Sequence, residues 1–178
     1  MFPILWWHDF EISCVRQIKN IIKKTKLNTD TIATLNDLIK INHDRIRGYE
    51  KAIENTDSIE AELRTLYSRM IEESYVYNRE LSDLVTQLGG EPATDTTVPG
   101  KIYHAWMDVK ATFSGNDTKS ILAACEYGED AAQKAYSDAI DISTALTTEA
   151  NELILKQKSL LKGSHDLVRQ FRDQYAEA

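Results

Sequence analysis

The residues of this sequence best suited to chemistry are acidic side chains and one histidine that could bind a metal ion. Di-iron and di-manganese centres in helical bundles take one glutamate from each of two helices and a Glu-x-x-His pair from each of the other two. The three-residue step places the carboxylate and the imidazole on one helix face, one turn apart. The positions that fit part of this pattern are Glu50, Glu126, Glu129 and His165.

The other half of the ligand pattern is missing. The second helical segment contains no histidine, and its Glu73 is followed three residues later by Val76. His165 is preceded at the same step by Lys162 rather than by a carboxylate. We therefore favour a structural or solvent role for these acids and expect no cofactor. The alternative is a metal-binding bundle, holding iron or manganese with a depleted ligand set.

Four long stretches carry apolar residues at alternating steps of three and four, the spacing of helices that pack one face into a core. They predict helices over residues 29–53, from the turn at Asp57 to Leu88, over 118–142 and over 147–172. Gly89 and Gly90 end the second helix. A loop rich in Thr, Pro and Gly and a short helix over 101–113 then form a long crossover. Two hairpins joined in this way predict an all-α, ferritin-like four-helix bundle.

Polar residues fall within these apolar stripes, near the middles of the helices. We expect Asn42, Ser74, Asn78 and Gln157 to meet in a buried layer of hydrogen bonds that fixes helix register. The alternative is a variant of a ligand site. On the fourth helix we expect Leu160 to face the core. Six tyrosines lie at or beside core positions and are expected to fill the core: Tyr49, Tyr67, Tyr75, Tyr77, Tyr127 and Tyr136.

Several short phrases, taken in order, make the chain similar to a bacterial ferritin-like family of four-helix bundles whose function is not established. The resemblance runs from Asn28 to Arg172 and leaves out the N-terminal segment. It implies a fold, and a fold alone does not give a function. The phrases that carry it are residues 34–39 (TLNDLI), 48–52 (GYEKA), 88–92 (LGGEP), 104–106 (HAW), 110–111 (KA), 125–126 (CE), 128–132 (GEDAA) and 134–136 (KAY).

The charge of the chain is unevenly distributed. Residues 1–26 carry five basic residues against Asp9 and Glu11, whereas the whole chain has a net charge of −7. This basic segment has its own helical stripe of aliphatic residues, which is typical of a helix that lies on an anionic membrane or a partner. We favour a terminal extension, helical or frayed, over a membrane-binding segment. The predicted domain division is an extension over 1–26 and a bundle over 27–178.

Composition limits the remaining possibilities. An acidic chain lacks the clustered Lys and Arg of a broad nucleic-acid surface, and no apolar run reaches the roughly 20 residues that span a bilayer. Cys14 and Cys125 have no metal-type spacing, so a soluble protein of the reducing cytoplasm is expected. We expect a non-enzymatic protein that forms a homo-oligomer or binds another helical protein.

Overall fold

The chain folds into four long helices. The computed structural model describes residues 5–55, 61–94, 117–141 and 146–177, with backbone alone for 5–14 and 177. The helices are α1 (Leu5–Glu54), α2 (Ala61–Gln87), α3 (Thr118–Asp141) and α4 (Thr148–Glu177). No strand occurs in the described residues, so the all-α prediction is confirmed. The short helix predicted over 101–113 lies outside them.

The helix directions reproduce the predicted connectivity. The chain leaves α2 with Gly90 beside Ile32, and it enters α3 near Leu122, which packs in one cluster with Tyr49. These two places lie at opposite ends of the part of α1 that contacts the other helices. A helix of the length of α2 spans about 40 Å, so α3 starts at the opposite end of the bundle from the end of α2. Two antiparallel hairpins and a long crossover result.

The end of α2 is closed by backbone hydrogen bonds around a glycine. Gly89 has a φ of 84°, the left-handed conformation that side chains disfavour. The Gly90 N–H donates to the Val85 carbonyl at 2.9 Å and the Gly89 N–H to the Thr86 carbonyl at 3.0 Å. The predicted helix stop at these two glycines is confirmed. A Cβ on Gly90 would lie 2.8 Å from a methyl group of Ile32, so the chain here packs directly on α1.

The N-termini of the second hairpin are capped by side chains. Asp117 accepts the Ser120 N–H at 2.9 Å, and this hydrogen bond lowers the pKa of the Asp117 carboxyl. The Thr147 hydroxyl accepts the Ala150 N–H at 3.3 Å. The Thr147 N–H in turn donates to the buried Thr31 hydroxyl at 3.1 Å, which fixes the start of α4 against α1.

The core consists of two apolar clusters with polar residues between them. One cluster surrounds Leu35, Leu81 and Ile154, towards the end where α2 finishes. The other surrounds Leu63, Leu122 and Val168, towards the end where α2 begins. Tyr77 and Tyr136 border the first, and Tyr49 and Met70 border the second. The polar residues described below therefore lie near the middle of the bundle.

Three of the predicted core positions are wrong. Leu160 is exposed, and Leu161 is buried in its place. The buried seam of α4 runs through Ile154, Leu161 and Val168 at steps of seven, and Leu160 lies about 100° to one side of it. Tyr75 and Tyr127 are also exposed: each is next in sequence to a buried residue, Ser74 and Gly128 respectively, and one residue turns the helix by about 100°.

The first helix continues far beyond the bundle. It runs from Leu5 without interruption, and side chains become buried only from Thr31 onwards. We call residues 15–26 the head and the packed remainder of the described chain the body. Every head side chain is exposed. Among the described residues, no helix is both long and apolar enough to cross a membrane.

Candidate functional site

The centre of the bundle is built around an arginine. Arg45 lies on α1 and is only 1% exposed, so its whole side chain sits among the four helices. Arg45 falls three residues after Asn42 and four before Tyr49, and this 3–4 spacing places all three on the inward face of α1. Transfer of an unpaired guanidinium to the interior costs several kcal/mol. The surrounding residues must therefore supply opposite charge and hydrogen-bond acceptors.

The guanidinium donates towards two other helices. Its Nε–H donates to Glu129 Oε1 on α3 at 2.7 Å. Its Nη1 donates to the Met70 carbonyl at 2.9 Å and to the Ser74 hydroxyl at 2.7 Å, both on α2. Its Nη2 lies 3.1 Å from the Met70 sulfur and 3.8 Å from a Glu73 carboxylate oxygen. Arg45 therefore links α1 to α2 and α3 through hydrogen bonds donated by one guanidinium group.

Glu129 is the buried counter-charge. It is 0% exposed, and its Oε1 accepts a second hydrogen bond from the Tyr49 hydroxyl at 2.6 Å. The Tyr49 ring also lies against the cation, with the guanidinium carbon 5.5 Å from the ring centroid. Glu129 Oε2 has no hydrogen-bond partner among the described residues. One oxygen of this carboxylate thus receives both the arginine and the tyrosine.

Glu73 carries the network to α4 and to the surface. Its Oε2 accepts a hydrogen bond from the Ser164 hydroxyl on α4 at 2.5 Å. Its Oε1 pairs with Arg69 at 2.9 Å, one turn earlier on α2. Arg45, Arg69, Glu73 and Glu129 thus form a chain of two cations and two carboxylates with no net charge. This chain and Ser164 bring all four helices together.

The electrostatics of this centre favour fixed charge over proton transfer. Burial alone would lower the pKa of Arg45, but the adjacent Glu129 carboxylate raises it above the ordinary value. Burial, and after it the charge of Glu129, raises the pKa of the Tyr49 hydroxyl well above its usual range. Both groups stay protonated at physiological pH. They can donate hydrogen bonds to a carboxylate, but they are poor general acids or bases.

A second polar layer lies next to the first and is organised by Tyr136 of α3. The Tyr136 hydroxyl accepts a hydrogen bond from Asn42 Nδ2 at 2.9 Å and donates to Gln157 Oε1 at 2.8 Å. Gln157 Nε2 donates to the Tyr77 carbonyl at 3.3 Å and to Glu80 at 2.9 Å. This layer also joins all four helices, because Asn42 lies on α1, Gln157 on α4, and Tyr77 and Glu80 on α2.

The predicted polar residues are brought together only in part. Asn42 and Gln157 belong to one layer, but Tyr136 connects them, and Ser74 belongs to the Arg45 layer instead. Neither end of the Asn78 amide reaches a hydrogen-bond partner among the described residues. A pattern of buried amides therefore indicated the level of the layers, but it did not indicate which side chains pair.

The candidate metal ligands occupy four different environments. Glu50 is exposed on α1, and Glu126 pairs with Arg172 of α4. His165 lies between Asp130 at 3.0 Å and Asp166 at 3.1 Å near the surface. Of the four, Glu129 alone lies at the centre, where it is paired with Arg45. Within the described ranges, no three His, Cys, Asp or Glu side chains are placed to hold a metal ion.

Comparison with known proteins places the chain in a family. A family model described as a domain of unknown function (DUF2383) matches residues 30–142, which run from α1 within the body to the end of α3. The chain belongs to this family. The family match leaves out the head and α4. No curated protein matches the chain.

A solved structure shows the same fold. A mutant of Dps1 from Mycobacterium smegmatis aligns with a TM-score of 0.69 and 16% sequence identity. The alignment covers 83% of this chain and 97% of that chain. At this identity the likeness concerns the fold alone, and it agrees with the helix directions above. The chain is a ferritin-like four-helix bundle, as its sequence predicted.

Sequence reasoning missed the most important residue of the centre. Arg45 was not among the predicted core residues, because an arginine within an aliphatic stripe resembles a solvated position. One signal was available: inward positions 31, 38, 45 and 52 recur at steps of seven on α1, and three of them are Thr31, Leu38 and Ala52. The same step of seven includes Arg45.

Proposed function

We propose that this chain is a non-enzymatic helical protein that acts by associating with a second copy of itself or with another helical protein. The observation that carries the proposal is the fully buried Arg45–Glu129 ion pair at the centre of the bundle. A carboxylate metal centre needs acids whose charge is available to a cation. Here a guanidinium neutralises the one candidate acid at the centre, so a metal ion would have to displace it.

The outer surface of the body offers a place for association between α2 and α4. Glu73 contacts Ser164, and Glu80 contacts Lys156, so this stretch of α2 lies opposite residues 156–164 of α4. Val76 and Leu160 fall at the same level within this stretch, and both are exposed. Their exposure at one level of the bundle makes this pair our candidate for the contact between two copies.

Light scattering after size-exclusion chromatography, over a wide range of protein concentrations, tests the proposal. We expect an average mass that rises with concentration. The doubly charged variant Val76→Glu/Leu160→Glu should remain monomeric, because each glutamate would have to be desolvated in the contact. The matched control Gln87→Glu/Gln170→Glu adds the same charge at exposed positions of the same helices and should associate like the parent.

Two results would count against this function. A constant monomer mass for the parent at every concentration would contradict self-association. Metal retained at two equivalents per chain after incubation with Fe(II) or Mn(II) and desalting would instead favour the carboxylate alternative. Under that alternative, Glu50→Ala should lower the metal content. Under the proposed function, elemental analysis should find no stoichiometric metal in either protein.

A further inference from the structure

The head concentrates positive charge to a degree found nowhere else in the described chain. Residues 15–26 contain Arg16, Lys19, Lys23, Lys24 and Lys26 and no acidic residue. None of these five cations forms an ion pair with any side chain that the structure describes. Five positive charges and no acid within residues 15–26, about 18 Å of helix, produce a strong local positive potential.

The same twelve residues expose an aliphatic stripe. Val15, Ile18 and Ile22 are spaced by three and four and therefore share one helix face, with Ile21 at its edge. Their exposed fractions are 47%, 50%, 62% and 64% in the order Val15, Ile18, Ile22, Ile21. The five basic residues occupy the rest of the circumference. A helix that is aliphatic on one arc and basic on the other has the composition of an interfacial helix.

The body cannot cover this stripe. Because α1 is a continuous helix from Leu5 to Glu54, the head extends away from the other helices and cannot fold back. Several surface acids of the body are also paired with neighbouring cations, as in Lys134–Asp138 at 2.7 Å and Lys162–Asp166 at 2.6 Å, so they attract the head less strongly. The head of a second copy is an equally poor partner, since two segments of five positive charges would repel each other.

We propose that the head binds an anionic lipid surface, with its aliphatic stripe among the acyl chains and its lysines among the lipid headgroups. The charge selects anionic lipid over zwitterionic lipid. The stripe distinguishes a membrane from a nucleic acid, because phosphate contacts need no aliphatic face. This inference goes beyond association through Val76 and Leu160, since it uses a different surface.

Co-sedimentation of the full chain with lipid vesicles tests the proposal. We expect binding to vesicles of phosphatidylglycerol and phosphatidylcholine in equal parts, weak binding to phosphatidylcholine alone, and a loss of binding as salt is raised. A lysine at an anionic surface strengthens binding by a factor of about five. The variant Lys19→Glu/Lys23→Glu should therefore bind at least about 25-fold more weakly.

A matched control separates the head from net charge. The variant Lys134→Glu/Lys162→Glu changes the total charge by the same amount on exposed positions of the body. It should bind anionic vesicles nearly as well as the parent. The variant Ile18→Ser/Ile22→Ser keeps all the cations and should bind about tenfold more weakly or worse, because it removes apolar area. These head residues make no core contact, so circular dichroism should show an unchanged fold.

Several outcomes would overturn the proposal. Equal binding to zwitterionic and anionic vesicles would remove the role of the lysines, and equal losses in the head and body charge variants would reduce the effect to net charge. Absence of vesicle binding, with a mass increase that depends on Ile18 and Ile22, would assign the stripe to a second copy. Binding to a labelled DNA duplex that survives Ile18→Ser/Ile22→Ser, without lipid binding, would assign the head to nucleic acid.

Discussion

The head and the body of this protein share one helix, yet their cationic side chains lie in opposite environments. Within the body, Arg45 is buried and directs its donors at Glu129, Ser74 and Met70. In the head, five cations project into solvent without described partners. Helix formation is the same in both regions, so it does not explain the difference. The difference lies in what surrounds the side chains, and it separates residues that hold the fold from residues available for binding.

The largest expected effect on stability comes from breaking the buried Arg45–Glu129 ion pair. Arg45→Met should lower the free energy of unfolding by about 3–5 kcal/mol, because it leaves Glu129 buried without its counter-charge. Urea unfolding followed by circular dichroism measures the change. The double variant Arg45→Met/Glu129→Gln should recover much of the loss, since a neutral amide can still accept the Tyr49 hydroxyl. A loss below 1 kcal/mol for Arg45→Met would show that the centre is hydrated and the pair weak.

A matched pair of isoleucines on α1 sharpens the comparison. Ile39 is 1% exposed in the body and Ile21 is 64% exposed in the head. Ile39→Ala should cost about 2–5 kcal/mol through lost burial and a residual cavity, whereas Ile21→Ala should change stability by less than about 0.5 kcal/mol. Thermal and urea unfolding of both variants measure the two effects. Similar losses at both sites would mean that the head is packed against something in solution.

The stability contributed by the second polar layer should depend on the Tyr136 hydroxyl. Tyr136→Phe removes the hydroxyl that joins Asn42 to Gln157 and leaves both amides with an unpaired group. We expect a loss of about 1–3 kcal/mol in the free energy of unfolding. The control Tyr75→Phe removes an exposed hydroxyl and should stay within about 0.5 kcal/mol of the parent. Equal effects would contradict the assignment of Tyr136 as the connector of the layer.

Alkaline pH should destabilise the body through the ionisation of its buried phenol and thiol groups. Burial, and then the charge of Glu73, raises the pKa of Tyr77 to about 12, and burial raises the pKa of the Cys125 thiol above its usual range. Both groups are neutral when protonated. Because their pKa is higher in the folded protein than in the unfolded chain, the unfolded chain ionises first as the pH rises, and this favours unfolding. Stability is intact below the pKa of the unfolded thiol, about 8.5, and falls as the pH rises towards 12; Tyr77 alone should contribute a loss of about 1 kcal/mol between pH 9 and 11.

Urea unfolding at intervals of pH measures this loss. Tyr77→Phe should make the decline less steep between pH 10 and 12, because it removes one of the ionising groups. Tyr127→Phe, at an exposed position, should leave the slope unchanged. A parent stability that is constant up to pH 11 would contradict the burial of these groups.

The architecture could be predicted from the sequence because it depends on repeated signals. Apolar residues at steps of three and four marked every helix, and the glycine pair at 89–90 marked a helix end whose backbone is left-handed. The seam of α4 was misplaced by one residue, because Leu160 and Leu161 fit the same spacing. Only the packing against α2 and α3 distinguishes them.

The centre was harder to predict than the fold for a physical reason. Glu129 was identified as a candidate acid, but its partner depends on the register between α1 and α3. Arg45 and Glu129 are 84 residues apart in the sequence. Local patterns contain no information about such a register. An arginine is also ordinarily a surface residue, so its burial follows only from the presence of Glu129, Ser74 and the Met70 carbonyl around it.

The unbroken course of α1 determines orientation as well as position. No glycine or proline interrupts the sequence between Leu5 and Arg47, so the helix lacks the two residues that most often cause a kink. A flexible tether would let the bundle rotate freely around an attachment point. Here the head continues, without a break, the same helix that packs in the bundle. Whatever holds the head therefore also sets which face of the bundle points outward, and a tilt at one end is transmitted to the other.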